Sequence, residues 1–481
     1  MNRRMVLYMI GKIMLIEGAL LSLPFCVSLI YKESCASSFI VTIAVAILAG
    51  LVLTKSFKPK KEYFYAKEGF VIVALGWVLM SAVGALPFSL SGEIPNYIDA
   101  FFETVSGFTT TGSSVVLDVE AMSKGILFWR SFTHWVGGMG VLVFVMAVVP
   151  SSSDRSIHIM RAEMPGPVVG KLVPKASDTA KILYKIYIGI TIVEVVLLSI
   201  GGMPIFESLL HTFGTVGTGG LGIKADSIAS YSPYLQWVIT VFMLICGINF
   251  NLFYLLLIKR FKAVFRSEEL WVYLGVVILS VVAISFNIYD MYESLSEVIR
   301  HSAFQVATII TTTGYATTDF NLWPGFSKAI LLVLMFIGGC AGSTAGGLKQ
   351  SRVILLFKMI KREFRHMLHP RSVGVVKFED KAVNNETING VGIYLAIYLV
   401  CFFVIFLIVS LEPYDFETNF SAVAACINNI GPGFNIVGPT GNYAGYSILS
   451  KIVLSIAMLL GRLEIYPILL LLSPATWSKN K

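Results

Sequence analysis

Long apolar runs alternate with short polar segments along the whole chain. A helix that crosses a bilayer needs about 20 predominantly apolar residues. Arg3 and Arg4 precede the first run as in a signal peptide, but the run continues to Ile30 without a small-residue cleavage site, so it is predicted to remain as a span. The pattern predicts ten spans, at 8–30, 38–54, 69–90, 126–150, 182–201, 233–258, 270–288, 327–357, 389–411 and 447–472.

Four shorter amphipathic segments stand between the long apolar runs from residue 97 onward. Each is too short to cross a bilayer and too apolar for a solvated loop, so each is predicted to form a half-helix that enters the membrane and returns. Each leads into a run of Thr, Gly or Asn residues. The segments are Tyr97–Phe108, Ile205–Phe213, Leu295–Ile310 and Phe416–Ile427.

The four polar runs align on one glycine each, at Gly112, Gly217, Gly314 and Gly431, with separations of 105, 97 and 117 residues. Two positions earlier stands Thr or Asn, and one position earlier a β-branched residue. Such repetition predicts one structural unit used four times; ordinary turns between spans are the alternative, which the shared register disfavours. The aligned residues are Thr110, Thr111, Gly112, Thr215, Val216, Gly217, Thr312, Thr313, Gly314, Asn429, Ile430 and Gly431.

The repeat predicts an all-α membrane fold in which two leading helices precede four units of outer helix, pore helix, filter loop and inner helix around one central pore. Non-helical backbone at membrane depth is tolerated only inside protein or beside water, and a ring of four loops satisfies that condition. Glycine reaches positive φ without strain, so carbonyl oxygens can turn inward and replace the hydration shell of a cation. The predicted divisions are 1–65 for the leading pair and 66–176, 177–266, 267–382 and 383–481 for the repeats.

The eighth span is interrupted at residues 338–347, which hold five glycines in ten positions. Each glycine costs about 1 kcal/mol relative to alanine inside a helix, so a break and a gate are predicted there, just below the third filter loop. A close helix-packing face is the alternative. A phosphate-binding loop is disfavoured, because Leu348 separates Gly347 from Lys349. The candidate gate residues are Gly338, Gly339, Gly342, Ser343, Thr344, Gly346, Gly347 and Arg462.

Arg462 is a charged residue inside the tenth predicted span. A charge at that depth usually faces a cavity and pairs with a partner. The carbonyl groups of the broken segment and the carboxylate of Glu464 are the candidate partners. Arg462 is interpreted as a latch that holds the broken segment in place. Its fixed positive charge would also act as a barrier to a cation in the path.

Composition narrows the class of protein. The 481 residues are 56% hydrophobic and 14% charged, whereas soluble domains are about 25% charged, so an ordinary cytosolic enzyme is excluded. The spans carry no Ser/His/Asp, paired-carboxylate or metal constellation that would predict a membrane-embedded enzyme. The net charge is +8, but the sequence contains no water-soluble domain that could present a basic face. Nucleic acid is therefore not expected as a partner.

The basic residues are distributed unevenly. The termini, with the flanking Lys12, and the segments 55–67, 155–185, 259–266 and 349–381 hold 29 of the 37 Lys and Arg residues. Because basic residues gather on the cytoplasmic side of a membrane, both termini are predicted to be cytoplasmic. The last of these segments holds nine basic residues and follows the broken span directly. It is either a lever for a cytosolic regulator or a determinant of topology.

Several polar residues in or near the repeats are open to more than one interpretation. Acidic residues on or before the pore helices either raise the cation concentration at the mouth or complement the helix dipole; they are Asp99, Glu103, Glu207 and Glu297. Glu194, inside the fifth span, has no partner that the sequence identifies. His134 and His211 are predicted to pack between helices rather than to bind a metal ion.

The four loops, with Phe128–Gly138, Gly338–Lys349 and Gly461–Glu464, give essentially the whole chain a resemblance to the bacterial Trk/Ktr/HKT superfamily of potassium transporters. Within this superfamily, the extra pair of leading helices makes the chain resemble the TrkH-type subunits. The resemblance implies K⁺ as the transported ion, a homodimer in the bacterial cytoplasmic (inner) membrane, and a cytosolic TrkA-type regulatory subunit that binds nucleotides. In plant HKT relatives a serine in the slot of Gly112 goes with sodium transport, so the resemblance implies that this glycine favours K⁺.

Two transport mechanisms are compatible with this resemblance. One is a passive, channel-like path for K⁺ uptake, driven by the membrane potential. The other is an alternating-access symporter that couples K⁺ to H⁺ or Na⁺, a class in which inverted repeats are common. Each repeat here is predicted to begin on the cytoplasmic side, and such parallel repeats favour the pore. The fourth loop departs most from a symmetric filter, at Asn428, Asn429 and Pro432.

Overall fold

The computed structural model describes residues 2–59, 66–140, 176–371 and 374–477. Within these ranges the regular structure is helical apart from one antiparallel hairpin, β1 (Lys377–Phe378) with β2 (Lys381–Ala382). In chain order the helices are α1 (Arg3–Leu20), α2 (Ser22–Ile30), α3 (Ala36–Ser56), α4 (Ala66–Gly84), α5 (Leu86–Leu90), α6 (Tyr97–Phe108), α7 (Lys124–Gly138), α8 (Ala176–Ile200), α9 (Ile205–Gly217), α10 (Pro233–Cys246), α11 (Phe250–Leu257), α12 (Phe261–Phe265), α13 (Glu268–Asn287), α14 (Leu295–Ile310), α15 (Gly325–Ile337), α16 (Gln350–Leu368), α17 (Asn385–Val409), α18 (Phe416–Ile427), α19 (Ile448–Arg462), α20 (Tyr466–Leu472) and α21 (Pro474–Trp477).

Six helical stretches of the described chain are long and apolar enough to cross a membrane: Arg3–Ile30, Ala36–Ser56, Lys67–Leu90, Asp178–Ile200, Glu268–Asn287 and Asn385–Val409. A seventh is obtained if α10 and α11, which meet at 92°, form one bent span. The predicted span at 126–150 begins in α7, and its part from 141 onward lies outside the described residues. Apolar side chains cover the outer surface of these helices: Phe286 is 82% exposed and Leu407 is 68% exposed. Such a surface is suited to contact with lipid.

The pore helices of the repeats are α6, α9, α14 and α18. Three of them have the predicted bounds, whereas α9 extends to Gly217, four residues beyond the predicted segment. The side chains of Asn96, Ser294 and Asp415 accept hydrogen bonds from backbone amides of the first turn of α6, α14 and α18. These N-caps explain why those helices begin where they do. The final turns of all four are buried, so four helix C-termini converge inside the protein.

The inner helices of the last three repeats are broken. α10 gives way to α11 at residues 247–249, α15 ends before the loop 338–349, and α19 ends before residues 463–465. The spans predicted at 233–258 and 447–472 are therefore not continuous helices, and the interruption predicted in the eighth span is present.

Partners in other elements stabilise these breaks. The carbonyl of Gly247 accepts a hydrogen bond from the amide of Cys340 at 2.9 Å. Glu464, which has a positive φ of 56°, pairs with Arg352 at 2.5 Å. A backbone carbonyl released from a helix ladder inside a membrane needs such a partner. The loop 338–349 provides one for the bend of the second repeat.

Candidate ion filter and gate

The four loops after the pore helices share one backbone conformation. A residue with φ near +55° stands at Thr110, Thr218, Thr312 and Asn429, and a glycine with φ between 71° and 96° follows two positions later in each loop. Each loop also leaves its helix through the same type of hydrogen bond, from an amide to the carbonyl five residues earlier. Its donors are Thr111, Gly219, Thr313 and Ile430, at 2.8–2.9 Å.

This shared conformation corrects the predicted register of the second repeat. Thr215, Val216 and Gly217 form the last turn of α9, and the hydroxyl of Thr215 donates to the carbonyl of His211 within the same helix at 2.9 Å. The filter positions of this repeat are Thr218, Gly219 and Gly220, three residues later. The segment 214–220 contains two consecutive Thr-x-Gly patterns, at 215–217 and 218–220, and the alignment placed the filter on the first of them.

The four loops close into a ring. A β-carbon built on each filter glycine would come under 3.0 Å from a carbonyl oxygen of the next repeat, so no side chain fits there. The pairs are Gly112 with Gly219, Gly220 with Thr313, Gly314 with Ile430, and Gly431 with Thr111. All four glycines line one open cavity of about 170 Å³. Gly112, Gly314 and Gly431 therefore meet as predicted from the sequence, with Gly220 completing the ring.

Side-chain oxygens lie at the left-handed position of the filter. Thr110 Oγ1 and Asn429 Oδ1 are buried and make no hydrogen bond within the described residues. The amide nitrogen of Asn429 donates to Thr111 Oγ1 at 3.0 Å and to the carbonyl of Met458 at 2.9 Å, which fixes the orientation of its oxygen. An oxygen left without a partner in a buried site is costly. A dehydrated cation would supply the missing interaction.

A buried ion pair contacts the segments that follow the first two filter loops. Arg130 Nε lies 2.6 Å from Glu103 Oε1, and Arg130 also donates to the carbonyl of Gly222 at 2.7 Å. Glu103 accepts from the amide of Val115 at 2.9 Å and from the hydroxyl of Ser114. Glu103 is only 1% exposed, so it does not concentrate cations at the mouth. The sequence analysis missed this pair, because Arg130 carried no signal beyond its charge.

The other acidic residues considered at the mouth also have partners. Asp99 pairs with Lys451 at 2.8 Å, and Glu207 accepts a hydrogen bond from the hydroxyl of Tyr231 at 2.7 Å. Glu297 lies 3.7 Å from Arg300. These contacts are consistent with charges that stabilise the pore helices and their surroundings.

His134 packs against the second filter loop. Its Nδ1 lies 2.7 Å from the carbonyl of Gly107, and its Nε2 lies 3.2 Å from the amide of Leu221. A carbonyl on one side and an amide on the other assign the proton to Nδ1 of a neutral ring. His134 thus connects the first pore helix with the second loop, in keeping with the packing role predicted for it.

The loop 338–349 lies directly below the filter. The amide of Gly346 donates to the hydroxyl of Thr312 at 2.6 Å, and the amide of Gly347 donates to the carbonyl of Asn428 at 3.1 Å. Gly338, Gly342 and Gly347 have φ between 73° and 77°, a region that favours glycine. The predicted gate residues are thus held against the third and fourth filter loops.

The loop 338–349 makes further contacts with the second repeat and between its own residues. Thr344 Oγ1 donates to the carbonyl of Cys246 at 3.2 Å. Ser343 Oγ donates to the carbonyl of Cys340 at 2.6 Å, and a β-carbon on Gly339 would come under 3.0 Å from Ala345. The loop is therefore a compact turn wedged into the bend between α10 and α11.

Arg462 connects this loop to two inner helices. It belongs to α19, and its guanidinium donates to the carbonyl of Thr344 at 2.8 Å. It also donates to the carbonyls of Gly137 and Gly138 at 2.7 Å and 2.5 Å. A loop carbonyl and the carboxylate of Glu464 were the partners expected for Arg462, and the structure places the loop carbonyl beside it. Glu464 pairs with Arg352 instead.

Two further residues of the gate region were missed in the sequence. Lys349 is 3% exposed, and its Nζ donates to the carbonyl of Ala345, so a second basic side chain lies in this region. Glu269 accepts hydrogen bonds from the amides of Ala341 and Ser351 at 2.7 Å and 3.0 Å. It therefore joins the two ends of the loop. Lys349 stands next to the glycine run, whereas Glu269 lies far from it in the sequence.

An all-α chain with several apolar spans, four pore loops closed into a ring and a loop held beneath that ring defines a cation transport protein of the membrane. The family profile described as TrkH, cation transport protein, matches residues 36–479. The chain belongs to this family. It is a transport protein and not an enzyme.

Individual relatives match along their full length. The chain is 35% identical to the Trk system potassium uptake protein TrkH of Salmonella typhimurium, over 99% of this chain and 100% of that protein. It is 34% identical to TrkG of Escherichia coli, over 98% of each chain. The crystal structure of the potassium transporter TrkH from Vibrio parahaemolyticus superposes with a TM-score of 0.89 at 31% identity, covering 99% of this chain and 100% of that one. The family and the all-α membrane fold predicted from the sequence are confirmed.

Proposed function

We propose that the chain carries K⁺ into the cell across the bacterial cytoplasmic membrane, through a gated pore with a four-loop carbonyl filter. The names of its relatives, potassium uptake proteins of the Trk system, support K⁺ as the substrate. The observation that carries the proposal is the closed ring, in which each filter glycine abuts a carbonyl of the next repeat. Four such loops provide the layers of carbonyl oxygens that replace the hydration shell of a cation.

In this proposal Thr110 and Asn429 extend the carbonyl layers with side-chain oxygens. Both oxygens are buried and available. The pore helices add to this, since the partial negative charge at a helix C-terminus favours a cation in the space beneath it. The glycine at position 112 supports selection of K⁺ over Na⁺, as the resemblance to related transporters implies.

In this proposal the loop 338–349 is the gate, and its position below the filter closes the path. The loop 338–349 fills the space under Thr312, and Arg462 fastens it to α7 and α19. Arg462 also places positive charge below the filter. Repulsion between unit charges a few ångströms apart amounts to several kcal/mol in a protein environment of intermediate polarity. Opening then requires the loop to move and the Arg462 hydrogen bonds to break.

The proposed control element is α16, which begins where the gate loop ends. A cytosolic TrkA-type nucleotide-binding subunit that displaces α16 would pull directly on the loop. The functional unit in this proposal is a homodimer in the inner membrane with both termini in the cytoplasm. The bilayer is its surroundings and nucleic acid is not a partner.

Ion uptake in a bacterium that lacks its own K⁺ uptake systems tests the filter. We expect the wild-type chain to support Rb⁺ uptake with little Na⁺ uptake. Gly112→Ser and Gly314→Ser should each reduce Rb⁺ uptake or its preference over Na⁺. Gly275→Ser is the matched control, because a β-carbon there meets nothing within 4 Å. Uptake that is indifferent to both filter substitutions, at equal membrane levels, would remove the filter assignment.

Electrical measurements in liposomes distinguish the pore from the symporter. A pore gives a reversal potential that follows the K⁺ gradient alone. Coupling to H⁺ or Na⁺ shifts that potential when the second gradient is changed. The closed ring of four loops favours the first result.

A further inference from the structure

A cleft lined by basic side chains lies between α16 and the segment that leads into β1. It has a volume of about 260 Å³ and is bounded by Gly374, Val375 and Val376 on one side. The cationic side chains that line it, here called the basic cleft, are Lys358, Lys361, Arg362, Arg365 and Lys377. Positions 358, 361, 362 and 365 share one helix face by their three- and four-residue spacing.

The positive charge of the basic cleft is only partly neutralised. Lys358 pairs with Glu268 at 2.5 Å, and Arg362 donates to the side chain of Asn385 at 3.4 Å. Lys361, Arg365 and Lys377 make no ion pair within the part of the chain that the structure describes.

Nearby carboxylates do not supply the missing charge. Glu379 accepts from Ser267 and from the amide of Glu269 at 2.9 Å and 3.1 Å. Glu363 lies on the opposite side of α16 by its helical spacing from Lys358. Clustered Arg and Lys side chains of this kind recognise phosphate, with Arg able to bind two oxygens at once.

The position of the basic cleft suits a ligand at the membrane surface. α16 starts at the gate loop under the filter, and a helix rises 1.5 Å per residue, so Lys361 stands roughly 16 Å beyond Gln350. Half of the hydrocarbon core is about 15 Å thick. For a gate loop at mid-membrane and a helix directed along the bilayer normal, this distance would bring Lys361 and Arg365 to the level of the lipid head groups.

Beside the basic cleft, α16 exposes a stripe of apolar side chains. Phe357 is 68% exposed, Phe364 is 63% exposed and Leu368 is 76% exposed. Where a helix surface reaches the membrane boundary, acyl chains can contact such apolar side chains and lipid phosphates can contact the neighbouring basic ones. Clusters of Lys and Arg at the cytoplasmic surface attract anionic lipids.

We propose that the basic cleft binds the phosphate group of an anionic membrane lipid. The lipid would restrain α16, the helix joined directly to the gate loop. The site goes beyond the proposed function, since lipid binding needs neither a permeating ion nor an open gate. Its test therefore gives a result even if the transport proposal fails.

Binding to the purified full-length chain in nonionic detergent tests the proposal. The probes are short-chain phosphatidylglycerol, short-chain phosphatidylcholine and inorganic pyrophosphate. We expect phosphatidylglycerol to bind more tightly than the other two. The double variant Lys361→Gln/Arg365→Gln should weaken phosphatidylglycerol binding on the order of 30-fold, since each surface Lys or Arg contributes about 1 kcal/mol.

The matched control is Lys262→Gln/Arg266→Gln, which removes the same charge from exposed positions outside the basic cleft. Both double variants should keep the wild-type unfolding temperature without lipid, because all four side chains are exposed. Equal binding of phosphatidylglycerol and phosphatidylcholine would overturn the proposal, as would equal loss in the control. Pyrophosphate binding as tight as that of phosphatidylglycerol would overturn the lipid as the source of the phosphate.

Discussion

The backbone amide of Gly346 donates a 2.6 Å hydrogen bond to the hydroxyl of Thr312. Gly346 belongs to the loop that interrupts the third inner helix, and Thr312 belongs to the third filter loop. Arg462 holds the nearby carbonyl of Thr344 at 2.8 Å. Movement of the loop would therefore change a filter contact and the Arg462 contact together, and this is how the proposed gate would be coupled to the filter.

Replacement of Arg462 by alanine tests the latch. We expect Arg462→Ala to raise Rb⁺ uptake on the order of tenfold, because it removes both the hydrogen bonds to the loop and a positive charge whose repulsion costs a cation at least 1 kcal/mol. Uptake is measured at equal membrane levels of protein. Lys328→Ala is the charge-matched control, since Lys328 pairs with Glu417 at 3.5 Å, away from the loop. Reduced uptake by well-folded Arg462→Ala would contradict the latch.

The register of the second filter loop gives an independent prediction. Gly220→Ala should abolish selective Rb⁺ uptake, because its β-carbon would collide with the carbonyl of Thr313. Thr215→Val should keep most of the uptake, because Thr215 lies in the last turn of α9 and its hydroxyl donates to the carbonyl of His211 within that helix. A lost hydrogen bond of that kind costs about 1 kcal/mol. The opposite pattern in Rb⁺ and Na⁺ uptake would restore Gly217 as the filter glycine.

The second loop shows where the sequence stops being informative. The segments that became α6, α14 and α18 are amphipathic and carry side-chain caps at Asn96, Ser294 and Asp415, so local physics defines their bounds. α9 begins after Pro204 without such a cap, and its end depends on His134, which packs on the second loop from α7. Contacts with another repeat determine which of the two Thr-x-Gly patterns forms the filter loop. The local sequence therefore does not show which one it is.

The breaks in the inner helices were partly predictable for a similar reason. Five glycines within 338–347 weaken a helix by themselves, and this interruption was predicted. The bend after Cys246 rests on a partner, since the carbonyl of Gly247 accepts from Cys340 in another repeat. The turn after Arg462 rests on the pair between Glu464 and Arg352. Contacts between repeats decide where an apolar run stops being one helix.

The buried pair of Glu103 and Arg130 predicts a non-additive effect on stability. Glu103→Gln leaves the guanidinium buried without its counter-charge, and breaking such a pair costs about 3–5 kcal/mol. The double variant Glu103→Gln/Arg130→Met removes both charges and should be more stable than Glu103→Gln alone. Thermal unfolding of the purified proteins in detergent measures this difference. Additive losses in the two single variants would show that the pair is not coupled.

The loop before α18 gives a prediction about pH. Burial opposes ionisation of Glu412, but hydrogen bonds from Ser447 and Ser450 outweigh it and hold the pKa of this carboxyl below its usual range; Ser450 Oγ donates at 2.6 Å. A carboxyl with a lowered folded pKa contributes stability above its unfolded pKa of about 4.3 and loses it as the pH falls through the folded pKa. Glu412→Gln should therefore lower the unfolding temperature at pH 7, and the difference from wild type should vanish below about pH 4.

Glu293→Gln is the matched control for this experiment. Glu293 is exposed and makes no ion pair or side-chain hydrogen bond among the residues that the structure describes, so this substitution should leave the unfolding temperature unchanged at both pH values. The comparison separates the effect of the Ser447 and Ser450 hydrogen bonds from the loss of one surface charge. If the Glu412→Gln difference persisted unchanged at pH 3, the ionised carboxylate would not be the stabilising form. The contribution of Glu412 to joining α18 and α19 would then be one of shape rather than charge.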